Sequence, residues 1–142
     1  MSGADIPQVG GSVGQVSKRI CAAAPDVTCI VQDLPSMVKI GEDELEPEWN
    51  GRISFMAHDF FEPQPVRAPA AFLLRFILHD WPDQDACKIL RQLSLQMGPE
   101  TRILINDSVM PEPGATDPLT EKRIRNIDMM VRTLFALLHI SS

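Results

Sequence analysis

The sequence has no CxxC pair, no apolar run long enough to cross a bilayer, no excess of basic residues and no internal repeat, and each absence closes a class of function. Cys21, Cys29 and Cys87 are odd in number and widely spaced, so neither a disulfide framework nor a zinc site is legible. Reduced, mostly buried thiols in an intracellular protein are expected instead. The longest apolar stretches, residues 68–78 and 129–140, are interrupted by Arg75 and Arg132 and fall short of the ~20 residues a membrane span needs. Against 13 Lys and Arg stand 19 Asp and Glu, a net charge of -6, which argues against a general nucleic-acid binder because such a protein needs a basic face toward phosphates. Residues 1–11 carry neither a basic nor an apolar leader segment, so a cytoplasmic location is expected.

What is present is an alternation of short apolar runs and amphipathic segments. In 142 residues, 44% hydrophobic and 23% charged, there is room for one globular domain, and 12 prolines cut it into short elements. A weak first strand over residues 6–9 runs into a glycine-rich turn, and Val16, Ile20 and Ala23 predict one face of the following helix, which ends before Pro25. Residues 27–31 are β-branched and apolar on both faces, as in a buried parallel strand that stops at Asp33. Residues 41–50 are acidic and aperiodic, a surface loop or frayed helix end. Strands are expected over 52–56 and 70–78, and the best helix has Ala86, Ile89, Leu90, Leu93 and Met97 on one stripe. Pro82, Asp83 and Asp85 suit its start and Gly98 its end. A fifth strand holds Ile103, Leu104 and Ile105, and a last helix starts near Asp117 with Ile124, Ile127, Val131, Leu134 and Leu138 as its stripe. Strands alternating with helices predict a three-layer α/β domain, with ligands bound at the carboxyl ends of the strands.

The residues at those ends carry the chemistry. Gly10, Gly11 and Gly14 sit where the backbone can approach a ligand beside the free N–H groups of a helix start, although the spacing is not GxGxxG. Asp33 ends the second strand, where a carboxylate can accept both hydroxyls of a ribose, and Asp59 ends the third. Either acid alone could be a simple helix cap. His79 follows the fourth strand and is placed for a general base; Asp107 closes the fifth and can accept one imidazole N–H, fixing the tautomer. Asp80, Asp83 and Asp85 could suggest a divalent cation, but helix capping accounts for them more simply, and no metal is expected. His58 and His139 read as structural or surface residues.

At these positions the sequence resembles the S-adenosylmethionine-dependent O-methyltransferases of plants and fungi, particularly the fungal enzymes of secondary metabolism. The matching stretches are Val9-Gly10-Gly11-Ser12-Val13-Gly14, Ile30-Val31-Gln32-Asp33-Leu34-Pro35, His58-Asp59-Phe60-Phe61, Leu78-His79-Asp80-Trp81-Pro82-Asp83 and Ile105-Asn106-Asp107-Ser108. The resemblance implies a Rossmann-like class I methyltransferase sheet with helices on both faces. It implies a cofactor cradle from Gly10, Gly11 and Gly14, Asp33 on the ribose, Asp59 and Phe60 at the adenine, and Arg75 where the family often has a cofactor-contacting lysine. It further implies His79 as catalytic base, Asp107 as its orienting acid, S-adenosylmethionine as cofactor and a small aromatic hydroxyl compound as substrate, with no metal, nucleic acid or membrane partner.

Departures from the family pattern are Gln8 in place of an acid before the glycine loop, and Pro7 within the first strand. Set against the family, residues 1–142 are expected to be a single, incomplete domain without the N-terminal dimerisation domain, with most of the homodimer contact missing. The terminal antiparallel strand pair is expected to be missing too, which would leave the fifth strand as an exposed edge. Two rival readings are an inactive remnant or cofactor-binding module of the same fold, and a nicotinamide-dependent protein.

Overall fold

The β-branched run that begins at Val27 forms one of five parallel strands, and the strands it neighbours explain why it is apolar on both faces. The computed structural model describes residues 4–108, 112–114 and 117–120. Its elements are β1 (Ala4–Val9), α1 (Gln15–Ala23), β2 (Val27–Asp33), α2 (Pro35–Glu44), β3 (Ile53–Ala57), β4 (Ala71–Arg75), α3 (Asp83–Ser94) and β5 (Arg102–Asn106). Short 3-10 turns occupy Pro47–Trp49 and Leu78–Asp80. The sheet order is β3-β2-β1-β4-β5, so the direction of winding reverses between β1 and β4. Ligands of such sheets bind at this reversal, beyond the carboxyl ends of the strands.

Two apolar clusters cover the two faces. On one, Ile89 and Leu93 of α3 pack on Val9, Phe72 and Leu74. On the other, Cys21 of α1 packs on Cys29, Val31 and Ile53, with Phe55 against them. The Cys21 and Cys29 sulfurs lie 3.7 Å apart as free thiols, and burial pushes the Cys29 thiol up to about 12. Two of the three thiols are buried, as expected of most of them, and Cys87 is exposed because it lies off the stripe of α3 that meets the sheet.

Several expectations are corrected. The most buried residues of α1 are Ser17 and Cys21; of the expected face Val16, Ile20 and Ala23, only Ile20 packs against the same cluster, and the Ser17 hydroxyl donates to Gln8 Oε1 at 2.6 Å. Residues 35–44 form a helix that was not expected, and of the segment 41–50, expected as a surface loop or frayed helix end, residues 41–44 are its last turn; Pro35 opens it and Val38 and Gly41 are its buried side. A β-carbon at Gly41 would come within 2.2 Å of Phe55 Cε1, so the ring lies directly on this helix. β4 stops at Arg75 because Phe76 takes a left-handed φ of 53°, and its N–H makes a last bond to Asn106 O at 2.9 Å. α3 closes at Ser94, leaving Met97 and Gly98 in the turn beyond it, with Met97 37% exposed.

Pro7 stands in the central strand. Asp5 O accepts from Ala70 N at 3.1 Å, so by alternation Pro7 also faces β4 with no N–H to offer. The β1–β4 register accordingly pairs only Gln8 with Leu73 and Val9 with Leu74. β5 lies at the edge of the described sheet, with Leu104 44% and Ile105 52% exposed. Asp117 Oδ1 accepts from the N–H groups of Leu119 and Thr120, capping a helical turn at residues 118–120. The stripe from Ile124 to Leu138 lies outside the described residues.

Candidate active site

The glycine turn after β1 is shaped by what lies against it. Gly10 has φ 68°, and a β-carbon there would come within 2.5 Å of Ile77 Cδ1. Gly11 donates to Gln32 O at 3.0 Å, and a β-carbon there would meet Val31 Cγ1 at 2.8 Å. The turn therefore lies flat on β2. Ser12 N–H donates to Asp33 Oδ2 at 2.8 Å and Leu34 N–H to Oδ1 at 2.7 Å, which fixes the carboxylate while leaving further lone pairs on both oxygens.

Gly10 divides two cavities. The first, about 340 Å³, is lined by Asp33, Leu34, His58, Asp59, Phe60 and Trp81 among others. The second, about 180 Å³, is lined by Gln8, Gly11, Ser12, Arg75 and Phe76 among others. Gly14 lines neither: it precedes α1 with φ 81°, and a β-carbon there would come within 3.1 Å of Val31 Cγ2. So the structure brings together Gly10, Asp33, Asp59 and Phe60 on one side and Gly10, Gly11 and Arg75 on the other.

Asp59 follows β3 and accepts from Phe61 N–H at 2.9 Å in a local turn. Phe60, Phe61 and Trp81 stand edge to face, with centroids 4.7 to 5.9 Å apart. They supply the apolar wall of the larger cavity.

His79 lies in the turn after β4, and β5 brings Asp107 to it. Asp107 Oδ2 accepts the His79 backbone N–H at 3.2 Å, and Oδ1 stands 3.1 Å from Nδ1. On the other side, Asp80 Oδ1 is 2.9 Å from Nε2, yet off the line of a hydrogen bond, so this buried oxygen has no donor. Burial raises the Asp80 pKa from its ordinary value; His79 opposes the rise and Asp107 adds to it. The ring is stacked on Phe76, whose other neighbour is the Arg75 guanidinium 4.8 Å from the ring centre. The imidazole is held by two carboxylates and an aromatic face.

Two residues here depart from the sequence reading. Asp80 does not cap a helix: α3 begins after it, and its carboxylate faces His79. Its place next to the histidine in the chain was the available signal. His58 is neither structural filler nor free surface, since it lines the larger cavity and its Nε2 is buried without a hydrogen-bond partner. Burial lowers its pKa below the usual 6.5, against the pull of Asp59 and Glu62. Asp83 and Asp85 do lie in the first turn of α3, Asp85 3.2 Å from Lys88 Nζ.

A parallel sheet that reverses at β1 and β4, with a glycine turn and an acid at the end of the next strand, defines a Rossmann-like, nucleotide-cofactor class of domain. The chain belongs to the O-methyltransferase domain family, whose model matches residues 3–134. It is 43% identical over 126 residues to the Hps1-dma1 cluster O-methyltransferase of the fungus Dothistroma septosporum, covering 89% of this chain and 29% of that protein. The chain thus spans less than a third of that relative's length. Among solved structures, LepI in complex with SAM matches at TM-score 0.75 and 34% identity, over 90% of this chain and 32% of that one. NcsB1, an O-methyltransferase from neocarzinostatin biosynthesis in complex with S-adenosylmethionine and 2-hydroxy-5-methyl naphthoic acid, matches at TM-score 0.66 and 27% identity, over 72% of this chain and 32% of that one. The sheet is that of the Rossmann-like class I methyltransferases. No helix of the described residues is long and apolar enough to cross a membrane.

Proposed function

We propose that the chain is the cofactor-binding and catalytic part of an S-adenosylmethionine-dependent O-methyltransferase acting on a hydroxyl of a small aromatic secondary metabolite, in the cytoplasm. The single observation that carries this reading is that the Gly10-centred cleft and the carboxylate-flanked imidazole of His79 open at the same ends of β1 to β5.

The residues fit this cofactor. Glycine at 10 and 11 lets the turn press against Ile77, Val31 and Gln8, where a β-carbon would clash, so that its backbone lines both cavities, and Asp33, fixed by two backbone N–H groups, suits a ribose diol. Asp59 and Phe60 form an adenine site of one acceptor and one apolar face, and Arg75 offers a cation beside Gly10 and Gly11 for the amino-acid end. Gly14 acts one step back, by starting α1 behind the turn. When bound, S-adenosylmethionine would supply an electrophilic methyl group on its sulfonium for transfer to a hydroxyl oxygen, leaving as the neutral thioether.

His79 removes the hydroxyl proton at Nε2, while Asp107 holds Nδ1–H and so keeps Nε2 the basic nitrogen. A phenol near pKa 10 and an imidazole near 6.5 are mismatched by about 3.5 pH units, so proton removal must be coupled to methyl transfer. Asp80, 2.9 Å from Nε2, offsets the positive charge as the ring takes the proton. Positioning of the two reactants is worth roughly 7–11 kcal/mol in such a reaction.

Calorimetric titration with S-adenosylmethionine tests the reading. Binding is expected for the wild type and at least tenfold loss for Asp33→Ala; no heat at millimolar cofactor overturns it. Binding without turnover of any phenol would leave the cofactor-binding module as the better description.

A further inference from the structure

Three residues with left-handed backbone, Gly10, Ser12 and Phe76, line the smaller cavity. Glycine adopts that conformation freely and serine at modest cost, but for a bulky ring it is strained, and such strain persists only where the surroundings impose it. Packing does not repay it at Phe76, because the side chain is 42% exposed. What the strained turn achieves is a placement. With its N–H bonded to Asn106 O at 2.9 Å, Phe76 turns its ring onto the imidazole of His79, the centroids 5.5 Å apart and the planes within 20° of parallel. The Arg75 guanidinium, 4.8 Å from the ring centre, steadies the same ring.

The carboxylates of Asp107 and Asp80 approach the two nitrogens of His79, at 3.1 and 2.9 Å. Contacts at single atoms leave the tilt of the ring open. A flat surface lying along the imidazole closes that freedom.

We propose that Phe76 is a positioning residue for His79, its ring serving as the platform that holds the plane of the imidazole toward the hydroxyl to be deprotonated. The inference rests on His79 as the base and deepens that reading: the carboxylates set which nitrogen is basic, and Phe76 sets where it points. A misdirected base loses rate without loss of cofactor binding.

The test compares wild type with Phe76→Gly, Phe76→Leu and Phe76→Tyr. Glycine relieves the strained φ, so Phe76→Gly should melt no more than about 2 °C below the wild type, or above it. In single-turnover methyl transfer to 2-naphthol or catechol it should be slower by about tenfold, while its affinity for S-adenosylhomocysteine in calorimetry stays within about threefold. Carbethoxylation of His79 by diethyl pyrocarbonate, followed by mass spectrometry of its peptide, should be about threefold faster or more once the platform is gone, a readout that needs no turnover. Phe76→Leu, which keeps bulk without a flat face, should match glycine in both rates, and Phe76→Tyr should restore both. Unchanged rates in Phe76→Gly and Phe76→Leu would overturn the proposal. So would a glycine variant that fails to fold or loses much of its Tm, since the ring would then be structural. Equal methyl transfer by wild type and His79→Ala would instead refute the base reading, and the modification rate would still decide whether Phe76 holds the imidazole.

Discussion

The two halves of the sheet are built differently. The β3-β2-β1 half is backed by α1 and α2, its central strand β2 buries Cys29 and Val31, and the buried amide of Gln32 at its end bonds reciprocally with Gln64 at 2.7 and 3.0 Å. The β4-β5 half has a strand buried from Ala71 to Leu74 next to an edge strand whose Leu104 and Ile105 are exposed. The residues proposed for the nucleoside stand on the first half, and the base and its carboxylates on the second. Groups fixed by backbone hydrogen bonds, as the Asp33 carboxylate is, suit recognition of a cofactor. A histidine between two carboxylates, one of them raised by burial and short of a donor, suits a proton that must move.

The largest effect that would sharpen this contrast is on the second half alone. His79→Ala should lower methyl transfer by about 10²–10⁴-fold in single-turnover assays while leaving S-adenosylhomocysteine affinity within about threefold; an equal loss of both would merge the two halves into one function. Next, Leu93→Ala, which opens a cavity beneath β4, should cost about 2–5 kcal/mol in urea denaturation. Gly11→Ala should cost about 1–3 kcal/mol by pressing on Val31 and Gln8, with cofactor binding weakened as well.

A smaller effect concerns pH. The Asp80 pKa is raised on folding, so the stability it contributes is present below its unfolded value near 3.8 and is lost as pH rises through its folded value. Asp80→Asn should therefore be relatively more stable than the wild type above that window and lose the advantage below it, read as Tm against pH. A parallel pair of curves would contradict the burial argument. Smallest of all, Leu104→Ala on the edge strand should change stability by about 0.5 kcal/mol or less; a core-like loss would mean that β5 is covered after all.

How much of this was legible depended on whether one local pattern carried the feature. β2 and α3 announced themselves, the first by β-branched residues and the second by apolar residues at helical spacing. α2 did not, because Pro35, Gly41 and three acids hide a helix whose buried side is only Val38 and Gly41. On α1 the expected stripe held Ile20 but missed Ser17 and Cys21, which look polar or small in sequence; the bond to Gln8 shows why Ser17 turns inward. The end of β4 rests on a backbone turn at Phe76, a bulky residue with positive φ that no sequence rule anticipates. In the candidate site, Asp33, Asp59, His79 and Asp107 were singled out because strand ends are privileged places. His58 and Asp80 were passed over because their importance lies in a missing partner, which only three dimensions reveal.

The short ladder beside Pro7 has a consequence for how the domain closes. β1 and β2 are joined across one helix, whereas β1 and β4 meet across everything from Gly10 to Ala70, and loop-closure entropy rises with that length. The longest closure is thus fastened by the Gln8–Leu73 and Val9–Leu74 pairs, directly below the cleft. Gly10 and Trp81, on opposite sides of that seam, share the wall of one cavity. A ligand filling it acts as a clasp, and by mass action its binding adds to the free energy that keeps the two halves of the sheet together.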